Sequence, residues 1–415
     1  MHTIVIFIIV LVVMARMPEL FTFLIPLHLG KVAFALGFLS LFFLPKGLLG
    51  KLKNSVPFAH FLFLLFIMAM ASVPFSVWGT GALNSLLSFS RILFFAGCLA
   101  LLSAAGRLDQ YRAALIYGVS LLAAVMIMST GAGRMSAGFT YDPNDIALLF
   151  VTFMPVVLAE AMNGNMIRRG FYLGLGAMVL LGLVLTGSRG AIVAIGVQAL
   201  YFVLTAKKFR LLAIGLVCAA GLVVVATAEQ SLWDRFASLT AEGEAADYNL
   251  EGRSGRVQIW KNGLKIVADN PVLGVGIGMF GTAHFLLDGK IGLTAHNTYL
   301  QFAAELGIPG FILYLAMLCS AWQMITRHVE EDEHAGARAR WIALKVGIVG
   351  FGTASFFISA GYSSTLYYLL GLAAVMHFHH VESSGAPVPQ KARSSVQLRY
   401  PPQSALQVRQ QKVRL

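Results

Sequence analysis

Arg189 is the residue whose setting most demands a chemical explanation. It stands in Thr186-Gly187-Ser188-Arg189-Gly190, between two long apolar runs. Ser188 is placed to cap the second run as a helix, which puts Arg189 in its first turn. A cation there opposes a helix dipole whose N-terminus is already positive. At membrane depth it also costs about 2.5–3.5 kcal/mol if central, and less near the interface. An anion reverses both penalties, because exposed backbone N–H groups, the dipole and a guanidinium all favour phosphate. Gly187 and Gly190 would let it approach the main chain. The rival reading is an interfacial arginine reaching for headgroups; ionisable residues inside a membrane are functional by default, which favours the anion site.

The other candidates are Arg134, the Asp142-Pro143-Asn144-Asp145 turn, Arg253, Arg256 and His296-Asn297. With an ordinary pKa of about 6.5, His296 suits a general base near neutral pH, although a histidine at a helix start also serves as a cap or hydrogen-bond partner. Alone, Arg256 reads as a solvated or headgroup-facing residue, and Asp142 as the start of an Asx-Pro turn. Their company changes their weight, since four separated segments carry cations, a carboxylate and an imidazole toward one face. Other strings point elsewhere. Gly276-Ile277-Gly278-Met279-Phe280-Gly281 matches a dinucleotide fingerprint but lacks the strand–helix unit that would give it meaning, so a flexible turn is expected. His377, His379 and His380 end the last apolar run, where interfacial placement is favoured over metal binding. Glu305 lies before Gly307-Ile308-Pro309-Gly310, as either a paired or a pathway-lining carboxylate.

Positioning these residues falls to a membrane-embedded bundle. Of 415 residues, 58% are hydrophobic and 12% charged, against roughly 45–50% and about 25% in ordinary soluble domains. So few charges could not cover soluble domains of this size, which excludes a soluble enzyme, a disordered chain and a disulfide scaffold. Cys98, Cys218 and Cys319 all fall within apolar runs and read as buried small hydrophobes. Continuously apolar runs exclude a β-barrel. At about 20 residues per crossing, the runs near 3–15, 21–44, 56–78, 84–105, 110–129, 144–162, 170–186, 189–206, 209–228, 297–326, 340–360 and 364–381 predict an all-α protein of about twelve transmembrane helices. The first is short or broken; no basic start or cleavage site makes it a signal peptide. Gly170–Gly174 and Gly347–Gly350 suggest close helix packing.

The net charge of +12 lies mostly in short loops and the C-terminal tail, where it reports orientation. Lys46, Lys51 and Lys53, Arg107 and Arg112, Arg168 and Arg169, Lys207, Lys208 and Arg210, and Arg327, Arg338 and Arg340 follow the even-numbered runs. Both termini are therefore expected in the cytoplasm. The expected organisation is a polytopic domain over 1–381 with a large outer loop at 229–296, and a disordered basic tail over 382–415. In the loop, Ser254 can cap a helix with Val257, Trp260, Leu264 and Val267 on its apolar face, ending at Asn270-Pro271.

Several strings resemble the O-antigen ligase and polymerase superfamily. They are Arg134 with Gly138-Phe139-Thr140 and Asp142-Pro143-Asn144-Asp145-Ile146-Ala147; Thr186-Gly187-Ser188-Arg189-Gly190; Gly255-Arg256-Val257-Gln258-Ile259-Trp260 continuing to Asn270-Pro271-Val272-Leu273-Gly274-Val275-Gly276; and His296-Asn297-Thr298-Tyr299-Leu300 with Glu305-Leu306-Gly307. They fall in order over roughly 130–310. The resemblance implies a glycosyltransferase of the type C class in the bacterial inner membrane, with its active site facing the periplasm. Its expected donor is an undecaprenyl-pyrophosphate-linked glycan and its expected acceptor the lipid A–core oligosaccharide, with no cofactor, metal or nucleic acid. Carried over, Arg189 and Arg256 would hold the pyrophosphate and His296 would activate the acceptor hydroxyl. Ser188, Arg134, Asp142, Asn144, Arg253 and Asn297 are the expected substrate-binding residues. The absence of any Asp-x-Asp string weakens a metal-dependent glycosyl transfer. The alternatives are an O-antigen polymerase, a protein O-oligosaccharyltransferase of the same superfamily and, from another class, a polyprenyl-lipid transporter, which would show paired mid-membrane charges and broken helices in corresponding halves.

Overall fold

The computed structural model describes residues 2–128, 142–205, 255–289, 293–332 and 334–384. Arg134, Arg253, Ser254, Cys218, the apolar run at 209–228, much of the loop expected at 229–296 and the tail beyond Ser384 lie outside them. Among the described residues the chain is helical and has no strand.

Among the described residues, six helical stretches are long and apolar enough to cross a membrane, as an integral membrane protein requires: Phe23–Leu41, α5 (Gly79–Ala104), α6 (Leu108–Met128), α7 (Pro143–Ala161), α8 (Met166–Leu185) and α12 (Thr298–Glu331). A seventh is added if α3 (Leu48–Ser55) and α4 (Ala59–Ser72), bent by 98° at their junction, count as one span. The regular helix within Phe23–Leu41 is α2 (Leu29–Leu41). The first run is short, as expected: α1 (His2–Ile9) continues through one wider turn to Met14 and buries Val5, Ile6 and Ile9. α9 (Arg189–Thr205) is likewise a shorter apolar helix. The last two expected runs are helical, as α13 (Ala335–Ala354) and α14 (Ser364–Ser384), but are more polar than the six and are not among the helices apolar enough to cross a membrane. Arg338, Arg340 and Lys345 lie on α13, and His377, His379 and His380 on α14.

Protein encloses these two helices. α13 packs along α7 and α9, and α14 along α5. Tyr367, Tyr368, Leu369 and Leu370 of α14 are buried, and the Tyr111 hydroxyl of α6 donates to the Tyr368 carbonyl at 2.8 Å. The Gln198 amide of α9 bridges two neighbours by donating to the carbonyls of Val151 on α7 (3.0 Å) and Val346 on α13 (2.9 Å). Gly347 and Gly350 fit the close-packing expectation, since a Cβ on Gly347 would meet the Thr152 carbonyl at 2.7 Å and one on Gly350 would strike Gln198. Gly170 and Gly174 differ: nothing lies within 4 Å of where their Cβ atoms would be. Cys98 is buried but Cys319 is exposed, because the residues of an apolar helix that faces lipid need no protein cover.

Four helices meet at one carboxylate. Glu160 of α7 is buried and pairs with Arg112 of α6 (2.8 Å), Arg168 of α8 (2.9 Å) and Arg340 of α13 (2.8 Å). These arginines first serve as markers of loop charge. The structure gives them a partner, which removes the cost of burying a lone carboxylate.

Candidate active site

α7 begins at the Asp142 turn. The Asp142 carboxylate accepts the Asn144 main-chain N–H at 2.7 Å and its side-chain amide at 2.8 Å, with Pro143 in the first helical position. This is the Asx-Pro start read from the sequence. The Asn144 side-chain oxygen, Oδ1, in turn accepts the Ser188 hydroxyl at 2.9 Å, which fastens the α8–α9 connection to the start of α7. That connection turns through Gly187 in left-handed backbone (φ 59°). The Ser188 carbonyl accepts from Ala191 and Ile192 at the start of α9, so Arg189 is the first residue of its helix, as expected. Gly190 is needed for packing, because a Cβ there would meet that of Phe357 at 2.9 Å.

The loop helix forms as α10 (Arg256–Asp269), with Gly255 at its N-cap position. Its buried face is Ile259, Gly263 and Ile266, while Val257 and Leu264 of the expected stripe are exposed. The expected face was offset because α10 packs on α12 rather than lying apart: a Cβ on Gly263 would press on Leu300 at 2.7 Å. Trp260 of α10 donates its indole N–H to the Ala295 carbonyl at 3.0 Å, beside His296. The His296 backbone is itself left-handed (φ 47°), a conformation that costs a side-chain-bearing residue roughly 1–2 kcal/mol. Asn297 follows and accepts the N–H groups of Tyr299 and Leu300, both at 3.0 Å, as the N-cap of α12.

His296 is half-buried and Thr294 Oγ1 lies 3.3 Å from its Nε2. Its pKa is held below the ordinary histidine value, first by burial and next by the Arg256 guanidinium, with the Asp142 carboxylate acting against both. Asp142, Arg256 and His296, from three separate segments, therefore share one electrostatic neighbourhood. Asn144 and Ser188 join Arg189 to it. The segment after α13 completes the connection: Ser355 accepts the Thr298 N–H at 2.9 Å, Phe356 lies 5.7 Å from the Trp260 ring, and Phe357 meets Gly190.

Sequence reading did not reveal a cavity of about 550 Å³ next to Thr294 and Ala295. Trp78, Phe280, Phe285, Gln301 and Glu305 are among its lining residues. Gln301 and Glu305 stand one helical turn apart on α12, a spacing that places them on one face and could have marked the wall. Glu305 is hydrogen-bonded as well as lining this cavity. It accepts the N–H groups of Gly278 (2.9 Å) and Phe280 (3.3 Å) and the Gln301 amide (3.4 Å). The glycine string at 276–281 is correspondingly a packed turn, not the flexible one expected. Val275 and Ile277 are buried, and Cβ atoms on Gly276 and Gly278 would strike Ser76 and Ser85.

No curated protein matches the chain. The family model described as O-antigen ligase matches residues 174–315, a segment that contains Arg189, Arg256 and His296. Over that segment the chain is similar to the O-antigen ligase and polymerase superfamily.

Proposed function

We propose that the protein is an O-antigen ligase. It transfers preassembled O-polysaccharide from undecaprenyl pyrophosphate to a sugar hydroxyl of the lipid A–core oligosaccharide, at the periplasmic face of the bacterial inner membrane. The observation that carries this reading is that Arg256 and Asp142 both act electrostatically on His296, while Asn144, hydrogen-bonded to Asp142, ties in the turn that presents Arg189. Phosphate-binding cations next to a neutral imidazole are what a one-step glycosyl transfer needs.

In this reaction His296 takes the proton of the acceptor hydroxyl, and the oxygen forms a bond to the anomeric carbon. The bond from that carbon to the pyrophosphate oxygen breaks, and its electron pair leaves with undecaprenyl pyrophosphate. Arg189 and Arg256 stabilise the charge that develops there, and displacement in one step inverts the anomeric centre. Burial and Arg256 favour the neutral imidazole that a general base must be. The adjoining cavity, with aromatic faces and an amide, suits a sugar. Arg134 and Arg253 fall outside the described residues and are proposed as further donor contacts from the family resemblance alone. Asn297 contributes by fixing the start of α12 under His296.

The test is transfer in proteoliposomes from undecaprenyl-pyrophosphate glycan, with core lipid, a short glycan or a protein offered as acceptor. Core lipid should be glycosylated, and Arg189→Ala, Arg256→Ala and His296→Ala should each lower the rate by on the order of 10²-fold or more while inserting normally. Product on the short glycan alone would indicate a polymerase, and product on protein alone a protein O-oligosaccharyltransferase. Undiminished transfer by Arg189→Ala would refute the site.

A further inference from the structure

At the far end of α12 from His296, three histidines approach one another in a way the glycan-transfer site does not use. His328 near the end of α12 is buried, with its ring stacked on Trp341 of α13 (centroids 4.3 Å apart, planes at 17°). Its Nε2 lies 2.7 Å from Nδ1 of His377 on α14. His377 Nε2 lies 2.9 Å from the Ser55 carbonyl at the end of α3.

This chain of contacts fixes the tautomers of the neutral rings. A carbonyl only accepts, so His377 carries its proton on Nε2 and has a lone pair on Nδ1. That lone pair accepts from His328 Nε2–H, so the lone pair of His328 is on Nδ1. This Nδ1 is buried and makes no hydrogen bond. Glu331 Oε2 stands 3.9 Å from it. The His380 ring is edge-on to His328 with centroids 4.5 Å apart. Ligand atoms of His328, Glu331 and His380 all lie within 4.8 Å of one another.

We propose that His328, Glu331 and His380 form a binding site for a divalent transition metal, with zinc the best match, which clamps the end of α12 to the end of α14. Two imidazoles and a carboxylate are a recurring zinc donor set. Ligand atoms at about 2.0–2.1 Å from a tetrahedral ion lie roughly 3.3 Å from one another. The required closure is therefore up to about 1.5 Å, within reach of the exposed Glu331 side chain and the half-buried His380. The Ser55–His377–His328 relay plays the part that a hydrogen-bonded partner plays behind a metal-bound histidine: it orients the ring and keeps the ligating nitrogen unprotonated. His379 stands apart, with its Nε2 3.1 Å from the Ser103 carbonyl.

The full-length protein, purified in detergent without a histidine tag and stripped with chelator, should bind one equivalent of Zn²⁺ in a calorimetric titration. Co²⁺ should give the intense visible absorption of a four-coordinate ion. Glu331→Gln and His380→Ala alter residues at the rim of the cluster, and each should weaken binding by about tenfold or more. His377→Gln should weaken it by roughly 10–100-fold through loss of orientation, and His379→Ala should leave it unchanged. Absence of binding by the wild type would overturn the proposal, as would wild-type affinity in the Glu331→Gln/His380→Ala double variant. Equal losses in His379→Ala and His380→Ala would overturn the ligand assignment. Helical circular dichroism of each variant separates a lost ligand from a lost fold, and none of these readouts depends on glycan transfer.

Discussion

His296 is held in strained, left-handed backbone by fixed neighbours on either side. The Trp260 indole fastens Ala295, and Asn297 is committed to the α12 cap. Its charge state follows from the same surroundings. Burial and Arg256 lower its pKa, so on acidification the neutral imidazole persists below the ordinary histidine range and is lost as pH falls through the lowered value. In the proposed reaction, transfer activity should therefore fall on the acid side with a midpoint below that of a free histidine. Asp142→Asn removes a carboxylate that opposes the lowering, so the midpoint of kcat/KM should move to lower pH; Arg256→Gln should move it up while depressing the rate. A midpoint unmoved in Asp142→Asn would remove His296 from the role of base. Of this neighbourhood, Arg189, Asp142, Arg256 and His296 were visible in the sequence because each is a costly or reactive group in an apolar chain. Trp260 could be read only as part of an apolar stripe, since nothing local says that its N–H will find a carbonyl far along the chain.

The elements that frame the site are joined at the break in α12. Gly307 leaves helical geometry (φ 70°, ψ 179°), and Pro309 has no N–H to give to the Glu305 carbonyl. The orphaned groups find partners in the loop after α10. Gly276 N–H donates to the Glu305 carbonyl at 3.0 Å, Val275 N–H to Ala304 at 2.9 Å, and Ile308 N–H to the Pro271 carbonyl at 2.8 Å. The Glu305 side chain adds Gly278 and Phe280, the latter at the start of α11 (Phe280–Asp288). Replacing Glu305 with Ala would leave buried N–H groups unsatisfied, at about 1–3 kcal/mol each. Amide exchange over 271–280 should then accelerate while the middle of α7 stays protected; unchanged exchange would mean that main-chain contacts alone hold the loop. Both halves of this joint were legible as strings, the glycines at 274–278 and Glu305 with its Gly-Ile-Pro-Gly break. Their pairing was not, because it is a matter of which orphaned carbonyl meets which N–H.

For the molecule as a whole, composition specified a helical membrane protein, and the six long apolar helices bear that out. The count of twelve was less accessible: α13 and α14 are shielded by other helices, so lipid does not dictate their polarity, and the run at 209–228 lies outside the described residues. The alternation of basic loops predicts that α11 and α3 end on opposite sides of the membrane. In a cysteine-free background, an impermeant maleimide applied to spheroplasts should label Asp288→Cys and spare Lys53→Cys until the cells are opened. Labelling of both from outside would overturn the orientation. The knot at Glu160 bears on how the molecule is made. Arg112 precedes it and Arg168 follows closely, but Arg340 is 180 residues later, which at roughly 5–20 residues per second means on the order of 10–40 s of further synthesis. A ribosome that stalls in that interval leaves α7 inserted with one of its three arginines still untranslated. The last arginine to arrive thus marks completion of the knot, with α14 still to be made, and a nascent bundle lacking it is the form that quality-control proteases would meet.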